Sequence, residues 1–307
     1  MRKELITYQD PKSPISEIFK TLRTNIQFMN AKGSLKTILV TSSMSGEGKS
    51  WVSSNLAVAF AQAGKKVILV DADMRKGRQY SIFGISPKPG LSNYLSGVEA
   101  NGDTAKSDDL LKYLQRTEID NLCVISAGNI PPNPSELLMT TRMIQLLEDL
   151  KQLCDIVIID GTPSRLVTDA IIISRLVDST IVVTKSGETN KNDLKTVIDN
   201  INNVGGKILG VVVNQIPMSA KKYGEKYYYA STSLDTPRPN KTTANVYKPS
   251  QDNRKDEASV RINNSENNIA KETPNIKIEN SDQISIEKTN DILKQINEYL
   301  DKEKKKL

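Results

Sequence analysis

Short apolar runs alternate with helical patterns along the first 215 residues. The runs at residues 36–43, 65–73, 122–128, 154–161, 179–187 and 206–215 have the length and the β-branched content of buried strands. Apolar positions at helical spacing fill residues 16–31, 51–64, 135–152 and 191–204. Strands that alternate with helices in this way predict an α/β fold, with a mostly parallel sheet flanked by helices.

The chain after residue 230 has a different composition. Asn, Ser and Pro are frequent and apolar residues are scattered, so we predict a disordered polar C-terminal tail, with a linker at residues 231–281. Residues 282–307 regain an apolar stripe that is compatible with a short amphipathic helix. The remaining predicted divisions are an N-terminal helical and oligomerisation segment at 1–35, a core at 36–218 and a tyrosine cluster at 219–230.

Composition narrows the classes of function. The 307 residues carry a net charge of +6, which is mild and is typical of a solvated surface. The chain has no histidine, which excludes histidine metal ligands and histidine general bases. Two cysteines imply no disulfide framework, and we expect a reduced cytosolic compartment. No signal peptide and no apolar run of membrane-spanning length are visible.

The segment SMSGEGKS, residues 43–50, lies between a predicted strand and a predicted helix. It has the spacing of a phosphate-binding loop, with Ser43 at the first glycine position. Gly46 and Gly48 allow backbone N–H groups to turn towards phosphate oxygens, and Lys49 supplies a positive charge. The hydroxyl of Ser50 suits Mg²⁺. A surface glycine turn is the alternative, which the strand–loop–helix order disfavours.

Three acidic residues follow apolar strands. Asp71 and Asp73 end the run VILVDAD, and Asp160 ends IVIID. Ligands of open α/β sheets bind at the carboxyl ends of the strands, so these carboxylates are predicted to meet beside the phosphate-binding loop. Helix capping is the alternative interpretation of each acid. Together with the loop, they predict a site for a nucleotide and Mg²⁺.

Four of the ten tyrosines lie within seven residues of a basic stretch, KKYGEKYYYA. They are Tyr223, Tyr227, Tyr228 and Tyr229. Three consecutive aromatic side chains cannot all face one core, so packing alone does not explain the cluster. A patch that binds a partner is the alternative to a functional role for these rings.

The motifs TSSMSGEGKS, VILVDADMRKG, AGNIPPNPSELL, DIVIIDGTP and LGVVVNQ, followed by the tyrosine cluster, resemble the bacterial tyrosine kinases, or BY-kinases. The resemblance covers residues 17–229. It implies a P-loop NTPase fold, ATP and Mg²⁺ as cofactors, and a cytoplasmic kinase held at the inner face of the cell membrane by a membrane-embedded polysaccharide co-polymerase that activates it. The implied activity is tyrosine phosphorylation that regulates the synthesis and export of capsule or exopolysaccharide.

The resemblance also assigns roles to residues of this chain. Nucleotide contacts are expected from Ser45, Gly46, Glu47, Gly48, Lys49, Ser50 and Trp51. Metal contacts are expected from Ser50, Asp73 and Asp160. The four tyrosines match acceptors that a neighbouring subunit phosphorylates within a homo-oligomeric ring. Glu17, Lys20 and Arg23 match a ring motif, E-x-x-R-x-x-R, with Lys in place of its first Arg.

We predict phosphoryl transfer from ATP to tyrosine, with Asp71 and Lys49 as the catalytic residues. A phenol has a pKa of about 10 and needs a base at neutral pH. Asp71 is the expected base, and Asp73 and Asp160 are expected to hold Mg²⁺ and its waters; the reverse assignment of Asp71 and Asp73 stays open. The resemblance also implies that Asn214, at the end of the last strand, is a candidate contact to the nucleotide base.

Two other classes of function compete with the kinase. A ParA/MinD-like ATPase switch has the same fold, but its phosphate-binding loop carries a signature lysine where this chain has Met44. A scaffold without activity is disfavoured by the intact set of loop and acidic residues. No dense basic arm is visible, so we expect no nucleic acid as a partner. The resemblance implies protein tyrosines as substrates.

Overall fold

The computed structural model describes residues 4–30, 33, 35–99, 101 and 109–217. These residues belong to the first of the two units of the chain, Met1–Ser233. The tyrosine cluster and the predicted linker and C-terminal helix lie outside the described residues.

A seven-stranded sheet forms the centre of the described fold. Its strands are β1 Thr37–Ser42, β2 Val67–Asp71, β3 Gln115–Arg116, β4 Leu122–Ile125, β5 Ile156–Pro163, β6 Ser179–Lys185 and β7 Ile208–Asn214. The strand order is β3-β4-β2-β5-β1-β6-β7, and only the short edge pair β3–β4 is antiparallel. The predicted mostly parallel α/β sheet is therefore confirmed.

Helices cover both faces of the sheet. They are α1 Ile6–Gln9, α2 Pro14–Met29, α3 Lys49–Gln62, α4 Gln79–Phe83, α5 Leu91–Ser96, α6 Pro134–Leu138, α7 Thr141–Leu153, α8 Asp169–Leu176 and α9 Lys191–Asn203, with a 3-10 helix at Leu110–Tyr113. Successive strand residues point to opposite faces: Ile158 packs in the core that includes α2 and α3, and Ile159 in the core that includes α5 to α8. Two apolar layers thus enclose the strands.

Helix α2 begins where its sequence dictates. The hydroxyl of Ser13 accepts a hydrogen bond from the backbone N–H of Ser16 at 3.1 Å, and Pro14 occupies the first turn, where no intrahelical N–H bond is needed. Phe19 and Ile26 are buried in the same core as α3. The N-terminal segment therefore packs on the core.

The predicted helix at 135–152 is divided in two. Helix α6 ends at Leu138, and Thr140 has an extended conformation, with φ −72° and ψ 155°, before α7 begins. The hydroxyl of Thr140 donates to the carbonyl of Leu137 at 2.7 Å. Such side-chain bonds to the backbone compete with helix continuation, and the apolar period alone does not reveal them. Helices α1, α4, α5 and α8 and strand β3 were also not predicted.

The part of the chain that the structure describes contains no helix that is both long enough and apolar enough to cross a membrane.

Candidate active site

The phosphate-binding loop joins β1 to α3. Gly46 and Gly48 have φ of +91° and +94°, which only glycine adopts without strain, and Gly48 is the N-cap of α3. Helix α3 begins at Lys49, so Lys49 and Ser50 lie in its first turn. The free N–H groups and positive dipole end of this turn suit an anionic phosphate group. The predicted strand–loop–helix arrangement is present.

The side chain of Glu47 stabilises the loop from within. It is buried, and its carboxylate accepts hydrogen bonds from the hydroxyl of Ser43 at 2.8 and 2.9 Å and from the N–H of Met44 at 2.8 Å. The hydroxyl of Thr189, after β6, also donates to it. Because these bonds engage the carboxylate, the main-chain N–H is the group that Glu47 can offer to a phosphate.

The end of β7 contacts the same loop. The amide of Asn214 donates to the carbonyl of Glu47 at 2.9 Å, and the amide of Gln215 donates to the carbonyl of Gly46 at 3.4 Å. A Cβ on Gly48 would lie only 2.0 Å from Nδ2 of Asn214. Position 48 therefore requires glycine for the close approach as well as for its φ. The amide of Asn214, a candidate base contact from the sequence, lies against the loop backbone.

The predicted acids converge on Lys49. Its Nζ lies 3.2 Å from Oδ2 of Asp73 and 3.9 Å from Oδ1 of Asp160, and 3.2 Å from the hydroxyl of Ser50. Burial lowers the pKa of Lys49, but the charges of Asp160 and Asp73 outweigh it, so the pKa is raised above its usual value. Lys49 is a cation at neutral pH.

The pKa of Asp71 is strongly raised. It is fully buried, and its carboxylate accepts from the N–H of Gln79 at 2.9 Å and from that of Asp73 at 3.3 Å. Burial and, next, the charge of Asp160 raise the pKa of Asp71 to about 8. An acid whose pKa lies near neutrality is suited to take up a proton during catalysis.

Gln79 is a site residue that sequence reasoning missed. It is completely buried at the start of α4, and its amide donates to Oδ2 of Asp160 at 2.8 Å and to the carbonyl of Ser50 at 3.2 Å. Its segment, GRQYS, has no apolar period and no motif spacing that would mark it. Only the fold brings it into contact with the acids at the ends of both β2 and β5.

The oxygen donors of the site fit Mg²⁺. Among the described residues, no three acidic or cysteine side chains are clustered closely enough to enclose a metal ion by themselves. Mg²⁺ at nucleotide sites keeps several waters and takes one or two protein oxygens together with the phosphates, so a closed cage is not required. The hydroxyl of Ser50 and the carboxylates of Asp73 and Asp160 are the residues that would hold it.

Trp51 and Ser45 were also predicted to contact the nucleotide. The ring of Trp51 packs edge-on against Phe19 of α2, with centroids 5.1 Å apart and an interplanar angle of 65°. The side chain of Trp51 thus connects α3 to α2. Ser45 is exposed in the loop.

The predicted ring residues make contacts within the chain. Lys20 Nζ lies 2.7 Å from the carboxylate of Glu17 and 2.8 Å from the carbonyl of Pro11. Arg23 donates through Nη1 to the carbonyl of Ala59 in α3 at 3.1 Å. Glu17 remains about half exposed, at 48% of its side chain. Assembly through these residues remains a prediction.

A phosphate-binding loop between β1 and α3, and acids on the neighbouring strands, define a P-loop NTPase. The AAA domain family matches residues 35–210. The putative tyrosine-protein kinase CapB of Staphylococcus aureus is 38% identical over 225 residues, which is 73% of this chain and 94% of that protein. Tyrosine-protein kinase YwqD of Bacillus subtilis is 35% identical over 75% of this chain and 93% of its own length.

This chain also resembles a solved structure. The crystal structure of the chimerical protein CapA2B2 has a TM-score of 0.65 and 39% sequence identity, and the match covers 71% of this chain and 93% of that one. The chain belongs to the bacterial tyrosine kinase family, as its motifs predicted.

Proposed function

We propose that this chain is an ATP-dependent protein-tyrosine kinase that phosphorylates its own tyrosine cluster and so regulates the synthesis and export of capsule or exopolysaccharide. The kinase activity follows from membership in the bacterial tyrosine kinase family. The observation that supports it most strongly is the convergence of Asp73 and Asp160 on Lys49 of the phosphate-binding loop. The acceptors, Tyr223 and Tyr227 to Tyr229, lie outside the described residues.

The reaction needs a base, charge neutralisation and correct positioning. Asp71 accepts the proton of the tyrosine hydroxyl while the phenolic oxygen bonds to the γ-phosphorus. The bond from that phosphorus to the β–γ bridging oxygen breaks, and ADP leaves with its electron pair. Lys49 and the loop N–H groups stabilise the negative charge that develops on the transferred group. Mg²⁺, when bound, supplies further charge neutralisation and orients the phosphates.

Asp71 is the base in this proposal because a proton acceptor works best when its pKa lies near the working pH. Its pKa, raised to about 8, lies near neutral pH, and the ionised fraction of Asp71 is the form that accepts the proton. Asp73 instead lies nearest to Lys49 and is suited to the waters of Mg²⁺. The opposite division of roles is tested by comparing Asp71→Asn with Asp73→Asn. Asp71→Asn should stop phosphorylation and retain most ATP binding, whereas intact phosphorylation would rule out Asp71 as the base.

The relatives support a proposal for the location and the partners of this chain. CapA2B2, whose solved structure it resembles, is a chimerical protein, in keeping with a kinase that works with a second chain. The proposed protein is a cytoplasmic kinase held at the inner face of the membrane by a membrane-embedded co-polymerase that activates it. Its subunits form a ring in which one chain offers its tyrosines to the next.

Mixing two chains, neither of which can phosphorylate its own tyrosine cluster, tests transfer between subunits. One chain carries Lys49→Met and intact tyrosines, and the other carries Tyr→Phe at all four acceptors and an intact site. Phosphate on the Lys49→Met chain, with a fused cytosolic segment of the membrane partner present, supports transfer between subunits. Hydrolysis of ATP by the unmutated chain without any phosphotyrosine, under the same conditions, would instead identify an ATPase switch.

A further inference from the structure

Gln79 connects three parts of the active site. Its backbone N–H donates to Oδ2 of Asp71 on β2, and its side-chain amide reaches Asp160 on β5 and the first turns of α3. The residue is completely buried at the first position of α4. No other described residue donates to both Asp71 and Asp160 in the hydrogen bonds of the site.

The amide of Gln79 is fully engaged. Nε2 donates to Oδ2 of Asp160 at 2.8 Å and to the carbonyl of Ser50 at 3.2 Å, which uses both of its protons. Oε1 accepts from the hydroxyl of Ser54 at 2.8 Å. An amide bonded at both ends has one orientation, so it fixes its partners and is fixed by them.

This arrangement gives the two oxygens of Asp160 different roles. Oδ2 is bound to Gln79, whereas Oδ1 accepts from Ser53 at 3.2 Å and lies 3.9 Å from Nζ of Lys49. Rotation of the carboxylate would break the bond to Gln79 and leave a buried oxygen without a donor, which is unfavourable. Gln79 therefore fixes the orientation of the carboxylate plane, with one oxygen held by Gln79 and the other towards Lys49.

We infer that Gln79 is a positioning residue: it holds the Asp160 carboxylate against α3 so that Oδ1 faces Lys49 and the Mg²⁺ that accompanies the nucleotide. The inference rests on the proposed function, because Asp160 is proposed there as a magnesium residue. Gln79 itself touches neither nucleotide nor metal. Its side-chain amide acts on the metal site through Asp160, and this separates it from a residue that only supports the fold.

Gln79→Met is the informative variant, because it keeps the length of the side chain and removes both donors. Ser54→Ala is the matched control, because it removes the partner of Oε1 and leaves the bond to Asp160. The measurement is ADP affinity by titration calorimetry with Mg²⁺ and with EDTA, together with kcat and KM for ATP on the full chain. Thermal unfolding of each variant is recorded in parallel.

Gln79→Met should lower the Mg²⁺-dependent gain in ADP affinity and the kcat by about tenfold or more, the usual effect of losing a partner that orients a metal-binding group. Affinity in EDTA and KM for ATP should stay within about twofold, since the loop N–H groups are untouched. Ser54→Ala should stay within about twofold on all four values.

A double-mutant cycle identifies the route of the effect. If Gln79 acts through Asp160, then Gln79→Met has no further effect on the Mg²⁺-dependent gain in an Asp160→Asn background. Additive effects, an unchanged gain, or equal losses of affinity with Mg²⁺ and with EDTA would each overturn the inference. If Gln79→Met does not fold, Gln79→Asn, whose shorter amide withdraws from Asp160, decides by the same criteria.

The ADP titrations do not depend on kinase activity. A chain that binds ADP in a Mg²⁺-dependent way and transfers no phosphate to tyrosine would contradict the proposed function, and the titrations would still decide the role of Gln79. A chain that phosphorylates tyrosine while Gln79→Met behaves as the unmutated protein would contradict the inference about Gln79 alone.

Discussion

Asp71 and Asp160 are direct register partners on the adjacent parallel strands β2 and β5, and both are fully buried. Burial and, next, the charge of Asp160 disfavour the ionised form of Asp71. Nζ of Lys49 lies 3.9 Å from Oδ1 of Asp160 and balances part of the negative charge of the site. The site therefore combines a fixed cation with an acid whose pKa is about 8.

The stability of the chain should fall as the pH rises from about 4 to 8 because of Asp71. Its folded-state pKa is raised to about 8 from 3.8, so the stability that it contributes is present below pH 4 and is lost as the pH rises through 8. Asp71→Asn removes this titration and should flatten the profile over that range. Urea unfolding of the unmutated chain and of Asp71→Asn, without nucleotide and at several pH values, measures how the free energy of unfolding depends on pH. If the two chains show the same pH dependence, Asp71 is excluded as the titrating group.

Lys49→Met should destabilise the chain as well as block catalysis. Removing the cation leaves Asp73 and Asp160 buried without their counter-charge, and Lys49 itself is only 12% exposed. Breaking a buried ion pair on one side costs about 3 kcal/mol. Urea unfolding at pH 7 measures the loss.

Lys65→Met, at an exposed lysine of the same chain, is the control and should change stability by less than about 0.5 kcal/mol. Equal effects of the two substitutions would show that Lys49 is not paired with the acids.

Gly48→Ala should damage both the fold and nucleotide binding. The new Cβ would meet Nδ2 of Asn214 at 2.0 Å, so Asn214 must move and lose its bond to the carbonyl of Glu47. With the strain of φ +94°, we expect a loss above about 2 kcal/mol and an ADP affinity lower by about tenfold or more. Unfolding and calorimetry measure the two effects.

Gly64→Ala separates backbone strain from the clash. Gly64 has φ +77°, but a Cβ there meets no atom within 4 Å. Its substitution should cost about 1 kcal/mol and leave ADP affinity unchanged. If Gly48→Ala costs no more than Gly64→Ala, the contact with Asn214 does not restrict the loop.

Glu17→Ala tests ring assembly at little cost to the fold. Glu17 is half exposed and pairs with Lys20 at 2.7 Å, an exposed pair worth about 0.5 kcal/mol. We expect the oligomer to dissociate while the unfolding free energy changes little, and sedimentation velocity measures the assembly.

Glu148→Ala is the counterpart on α7, where an exposed glutamate pairs with Lys151 at 3.0 Å with the same spacing. This variant should assemble normally. Loss of assembly in both variants, or in neither, would contradict the role proposed for Glu17.

The sequence was sufficient to predict the parallel sheet and the residues that meet at the carboxyl ends of its strands. Apolar runs that end in Asp71 and Asp160, and a glycine spacing that ends in Lys49, are local signals, and the rule that ligands bind at the carboxyl ends of strands brings them together. The bounds of the six predicted strands and of α2, α3 and α9 were close to those observed, whereas the predicted helix at 135–152 is divided in two.

The features that the sequence did not predict depend mainly on contacts between residues that are distant along the chain. The positions of Gln79 and Thr189 become informative only when α4 and the end of β6 lie against the loop and Asp160. The break at Thr140 depends on a single hydroxyl that bonds to a carbonyl three residues earlier. The spacing of apolar residues does not depend on such bonds, so the sequence pattern cannot predict them.

The most direct test of the kinase proposal is to map phosphorylated residues by mass spectrometry. The full chain, fused to a cytosolic segment of the membrane partner, is first incubated with ATP and Mg²⁺. We expect phosphate on Tyr223 or on Tyr227 to Tyr229 in the unmutated chain and none in Lys49→Met. Consumption of ATP with no phosphorylated tyrosine in the unmutated chain would contradict it and would identify an ATPase switch whose tyrosines serve as a docking patch.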